Sequence, residues 1–127
     1  MRRRLRPWIP AALWGALIFV LSSVPGQSLP PLPAWNFDKV VHALVYAVLG
    51  GLCLLALRRG SRLSRGRTVA LAALVATLYG VSDELHQLLT PGRSADVLDV
   101  VADAVGASIG SLGALASSTF LGRRPPA

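Results

Sequence analysis

Apolar residues fall into four blocks along the chain, over 8–24, 40–57, 68–89 and 97–121. Each is near the ~20 residues an α-helix needs to cross ~30 Å of hydrocarbon. The breaks between them differ in chemistry. "PGQSLPPLPAWNFD" (25–38) is too rich in proline to continue a helix. "RRGSRLSRGR" (58–67) is charged and carries two glycines, and "TPGRS" (90–94) is a turn signal. The pattern predicts an all-α fold: a four-helix transmembrane bundle with short loops, with 1–127 forming a single integral membrane domain. There is no convincing internal repeat.

Composition agrees. Hydrophobic residues make up 53% of the chain and charged residues 15%, more apolar and less charged than a typical soluble domain. The single cysteine, Cys53, permits no internal disulfide. The formal net charge of +7 would fit nucleic acid, but its distribution argues against that partner. Arg2, Arg3, Arg4 and Arg6 precede the first block; Arg58, Arg59, Arg62, Arg65 and Arg67 lie between the second and third; Arg123 and Arg124 follow the fourth. Only Lys39 and Arg93 fall on the other side. This bias predicts a multi-pass plasma-membrane protein with both termini cytoplasmic. The arginines then read as topogenic signals in contact with anionic lipid. They lack the interleaved aromatic residues on which single-stranded nucleic acid stacks. "MRRRLR" would also suit the basic end of a signal peptide, but no clear small-x-small cleavage site follows, so the first block is expected to remain as a helix.

In this topology all six acidic residues, both histidines, Lys39 and Arg93 lie on the extracytoplasmic side. The second helix begins there with Asp38, Lys39 and His42. The third ends there with Asp83, Glu84, His86 and Gln87, and the fourth begins with Asp96, Asp99 and Asp103. At 1.5 Å per residue, Asp103 lies about 10 Å below Asp96. A carboxylate at that depth is expected to face the bundle interior. Spacings of three and four place Asp38, His42 and Tyr46 on one face, Tyr79, Asp83, His86 and Gln87 on another, and Asp96, Asp99 and Asp103 on a third. Glu84 is rotated about 100° from Asp83, so its membership is less secure. Each polar stripe continues as small residues: Gly50 and Cys53; Ala72, Ala76 and Gly80; Gly106, Gly110 and Gly113. Such stripes let membrane helices approach closely, and "GASIG" is a GxxxG pattern. The first helix has no ionisable residue inside its span and reads as scaffold.

Three stretches carry a family resemblance: "FVLSSVPGQSLP" (19–30), "DKVVHALVYAVLGG" (38–51) and "SDELHQLLTPGRSADVLDVVADAVGASIG" (82–110). Together they resemble the VanZ-like membrane proteins over most of the chain. The matching positions are Asp38, Lys39 and His42; Asp83, Glu84 and Gln87; Pro91, Gly92 and Arg93; and Asp99, Asp103 and Gly106. Asp103 departs from a pattern in which Asn is frequent there, which adds an ionisable group. The resemblance implies a cell-envelope role. The family's namesake is an accessory protein of glycopeptide resistance clusters associated with lowered susceptibility to teicoplanin. The resemblance supplies no reaction.

Three chemistries remain open. His42, His86, Asp83, Asp99 and Asp103 offer nitrogen and oxygen ligands suited to Zn²⁺ or Mn²⁺. However, "DELHQ" is not HExxH, no cysteine lies nearby, and no metal ligand or cofactor is assigned. In an acid–base or binding site, Asp83, His86, Asp99 and Asp103 are the candidate catalytic residues. Asp38, Lys39, His42, Glu84, Gln87 and Arg93 are the candidate ligand-binding ones, directed at an anionic lipid-linked or cell-wall molecule. In a structural role, Lys39 and Arg93 pair with the aspartates and Asp96 caps the fourth helix. Asp38, Lys39 and Asp96 fit that role best. A transport or assembly accessory with a proton path is the rival function. Four helices without an inverted repeat would then require a homo-oligomer or membrane partner.

Overall fold

The computed structural model describes residues 5–31 and 36–121. Arg2, Arg3, Arg4, Arg123 and Arg124, on which the charge asymmetry partly rests, lie outside the described residues. Four helices follow one another: α1 (Ile9–Ser22), preceded by a 3₁₀ turn over Arg6–Trp8; α2 (Phe37–Gly60); α3 (Arg65–Gln87); and α4 (Val97–Leu121). The described residues contain no strand.

The first helix is shorter than its apolar block. It has 14 residues, about 21 Å of rise, less than the ~30 Å hydrocarbon core. Pro7 and Pro10 sit in the first turns of the 3₁₀ segment and of α1, where no amide donor is required. At the other end Pro25 is extended, with ψ 138°, and disfavours helical backbone at the residue before it. Three helices, α2, α3 and α4, are long and apolar enough to cross a membrane. The four-helix bundle expected from the sequence is present, with α1 and its preceding turn forming a shorter apolar helix over Arg6–Ser22.

The other boundaries follow end chemistry. α2 starts three residues before its apolar block. Asp38 lies in its first turn and Arg58 and Arg59 in its last, each answering the helix dipole. α3 likewise starts earlier than expected, at Arg65, and stops at Gln87 because the chain turns. Thr90 N–H bonds to Gln87 O, Arg93 N–H to Thr90 O, and Gly92 takes φ +71°. α4 begins where the sequence placed it. Asp96 Oδ1 accepts the Leu98 N–H at 2.8 Å, the N-cap bond expected of that residue.

α2 and α4 form the most extensive helix pair. Gly106 and Gly110 face the Ala43 and Ala47 carbonyls, and Gly50 faces Ala107. A Cβ at any of the three would overlap backbone atoms of the other helix. The GxxxG reading is therefore realised as backbone-to-backbone packing. Gly113 is different: it has open space around it and does not extend the seam. Ala72, Ala76, Leu54, Cys53 and Ala107 fill the interior. Leu44, Leu74, Leu78, Val105 and Ile109 point outward, as expected where the surroundings are lipid. α1 is fastened from the side: Trp14 Nε1 donates to Val45 O at 3.0 Å, and the Tyr79 hydroxyl donates to Gly15 O at 2.6 Å.

Candidate functional site

The ends of the helices carrying the six carboxylates meet at one end of the bundle. Lys39 is the first organiser. Its ammonium lies 3.0 Å from Asp38 Oδ2, 2.5 Å from Asp96 Oδ2 and 2.8 Å from Asp99 Oδ1. It thus ties the start of α2 to the start of α4. Asp96 lies just outside the spanning segments. Its carboxyl is held below the ordinary range, first by the Lys39 ammonium and then by the Leu98 N–H.

Deeper in, His42 Nδ1 lies 3.0 Å from Asp103 Oδ1. A carboxylate only accepts, so Nδ1 carries the proton in this pairing, an assignment made from the network. Asp103 is fully buried (0% exposed). Its carboxylate fits there because α3 presents Gly80, where a Cβ would overlap it. The Tyr46 ring lies one turn below His42 and parallel to it, with centroids 6.3 Å apart.

Glu84 belongs to the cluster despite its rotation from Asp83. It is buried. Oε2 accepts the Asp96 backbone N–H at 2.8 Å and Oε1 accepts from Gln87 Nε2 at 3.3 Å. Gln87 Nε2 also reaches Asp83 Oδ2 at 3.3 Å, and Gln87 Oε1 accepts from Arg93 Nε at 3.2 Å. Arg93 is half-buried, in the turn that docks against the α1–α2 connection: Gly26 N–H bonds to Pro91 O at 3.0 Å.

The reading of α1 as mere scaffold is corrected here. Ser22 Oγ donates to Asp83 Oδ2 at 2.8 Å, and Thr90 Oγ1 donates to Ser22 O at 3.3 Å. Ser23 Oγ contacts both Phe19 O at 2.7 Å and His86 Nε2 at 2.9 Å. Phe19 stacks on the His86 ring at 4.4 Å. A serine has one hydroxyl proton, and the Phe19 carbonyl can only accept it. The imidazole is therefore the donor to Ser23, the reverse of what a serine nucleophile and its base require. Both serines lie in "FVLSSVPGQSLP", one of the stretches that carry the family resemblance, but with no ionisable residue beside them in the sequence they do not read as site residues.

The structure thus brings together Asp38, Lys39, His42, Glu84, Asp96, Asp99 and Asp103, with Asp83, Gln87 and Arg93 joined through the Gln87 amide. His86 is not in that group; it faces α1 with Ser23 and Phe19. One ligand atom each from His42, Glu84 and Asp99 lie within 4.8 Å of one another, close enough to share a cation. Among the described residues, Tyr46 Oη, Asp103 Oδ2 and Ser111 Oγ are buried without a hydrogen-bond partner. Asp99 Oδ1 has only the ionic contact with Lys39, without hydrogen-bond geometry.

Fold and site together define a small helical membrane protein with a carboxylate–histidine cluster at one end of its bundle. Residues 7–118 match the family model of VanZ/LLP1, and the chain belongs to that family. No curated protein and no solved structure matches it.

Proposed function

We propose that this VanZ-family membrane protein acts at the outer face of the plasma membrane, with both termini inside. Its polar end receives an anionic envelope ligand, of the glycopeptide or lipid-linked cell-wall class. The observation that carries the reading is the contrast between the two cations at that end. Lys39 is already engaged by three carboxylates. Arg93 directs Nε to a neutral amide, which leaves its charge for an incoming group. A guanidinium presents two further nitrogens in a fork matched to phosphate or carboxylate. The orientation of His86 toward Ser23 favours binding over serine-type hydrolysis.

A second reading has its own support. The polar contacts also join helix to helix: Ser22 to Asp83, His42 to Asp103, Lys39 to Asp96 and Asp99, and Glu84 to the start of α4. A cluster wired this way fits an assembly or transport accessory in which polarity fixes packing.

Equilibrium titration of the detergent-purified protein with teicoplanin and with a polyprenyl phosphate tests the first reading. Saturable binding lost in Arg93→Ala, with helicity retained, supports it. Binding of neither probe, or binding indifferent to Arg93, leaves the packing reading in its place.

A further inference from the structure

We infer that His42, Glu84 and Asp99 form a binding site for one divalent transition-metal ion of the Mn²⁺ or Zn²⁺ class, where α2, α3 and α4 meet. This does not rest on the ligand reading above.

Three independent features support it. The first is the donor set. One imidazole and two carboxylates from three different helices bring ligand atoms within 4.8 Å of one another. Imidazole suits Zn²⁺ and its neighbours in the series, and carboxylate oxygen suits Mn²⁺. The second is orientation. With Nδ1 bonded to Asp103 Oδ1 at 3.0 Å, His42 keeps Nε2 as the nitrogen with a free lone pair. Metal-binding histidines almost always use their other ring nitrogen in this way, donating it to a carboxylate that fixes tautomer and ring position. Asp103 is thus a positioning residue.

The third feature is unspent polarity beside the site. Asp103 Oδ2 and the Tyr46 hydroxyl are buried, at 0% and 1% exposure, with no hydrogen-bond partner. The Tyr46 ring lies parallel to that of His42, with centroids 6.3 Å apart. Buried polar atoms in native proteins are rarely left alone. A hydrated ion at His42, Glu84 and Asp99 would bring water that accepts from Tyr46 and donates to Asp103.

Charge points the same way. The six carboxylates outnumber Lys39, Arg93 and both histidines together. By formal charge, with all six carboxylates ionised and both imidazoles charged, this end of the bundle carries a net negative charge that a divalent cation would offset. Lys39 sits on Asp99 Oδ1 and so competes for one of the ligands while leaving its second oxygen. Sequence spacing hides the site, because each ligand comes from a different helix.

The test uses the full chain in detergent, stripped with EDTA and exchanged into metal-free buffer. Zn²⁺ binding is followed by calorimetry and Mn²⁺ binding by electron paramagnetic resonance, with Mg²⁺ and Ca²⁺ as controls. The inference expects one ion per chain and proton release on binding. Affinity should be at least ~10-fold weaker in Glu84→Gln and Asp99→Asn, and ~10–100-fold weaker in Asp103→Asn. No saturable uptake by the stripped wild type would overturn it without any variant. So would equal uptake of Mg²⁺ and Ca²⁺, the mark of diffuse carboxylate binding. Unchanged affinity in a helical, monodisperse Glu84→Gln would overturn it as well.

Discussion

His42 and Asp103 are joined across α2 and α4 at 3.0 Å, and the aspartate is the more deeply buried partner. The pair is made where Gly80 of α3 leaves room for the carboxylate. Truncating one partner leaves the other charge or polar group alone in the interior, at a cost of about 3–5 kcal/mol. Asp103→Ala is therefore expected to lower the unfolding midpoint in detergent sharply, and Asp103→Asn, which keeps size and an acceptor, much less. A double-mutant cycle of His42→Ala with Asp103→Ala should give a coupling energy of about 0.5–3 kcal/mol.

The glycine seam yields a contrast. Gly110 abuts the Ala47 carbonyl, whereas Gly113 has nothing near it. Gly110→Ala should destabilise by about 1–3 kcal/mol through overpacking. Gly113→Ala should be neutral or stabilise by up to about 1 kcal/mol through helix propensity. Thermal unfolding of the two variants side by side checks both signs.

The seam also shows where sequence reading succeeds. Gly106 and Gly110 were legible because a period of four on one helix needs no knowledge of the partner. The start of α4 was legible because Asp96 caps it. Gly113 faces open space although α2 and α4 remain in contact past it, through Gly51 with Ala114 and Arg58 with Ser118, so the seam continues at 114 rather than 113. Glu84 is a ligand-binding candidate in the sequence, but its rotation of about 100° from Asp83 leaves its place on the polar face less defined. It is buried because α4 begins beside it and offers the Asp96 N–H. The Ser22 and Ser23 contacts depend on where α1 stops, and Pro25 stops it short of its apolar block.

The two serines should behave differently. Ser22 serves a buried carboxylate, while Ser23 is exposed. Ser22→Ala removes a charge-assisted bond and is expected to cost about 1–3 kcal/mol. Ser23→Ala should fall within about 0.5 kcal/mol of wild type. Chemical unfolding in mixed micelles separates the two.

The lowered ionisation of Asp96 sets a pH signature. Its folded value lies below the ordinary 3.8 because Lys39 and the Leu98 N–H favour the carboxylate. The resulting stabilisation is fully present above about pH 3.8 and is lost as pH falls through the folded value. The stability difference between wild type and Asp96→Asn should therefore be constant at neutral pH and shrink below that point. Midpoints of both proteins across pH 3 to 7 check this.

The most direct measurement compares thermal unfolding of wild type, Lys39→Ala and Arg93→Ala in the same detergent. Lys39→Ala should lose about 1.5–3 kcal/mol of charged hydrogen bonding and drop the midpoint by several degrees. Arg93→Ala should unfold within about 2 °C of wild type, as expected of a cation held for a ligand. A midpoint for Arg93→Ala as low as that of Lys39→Ala would contradict the account and make the whole polar end a packing device.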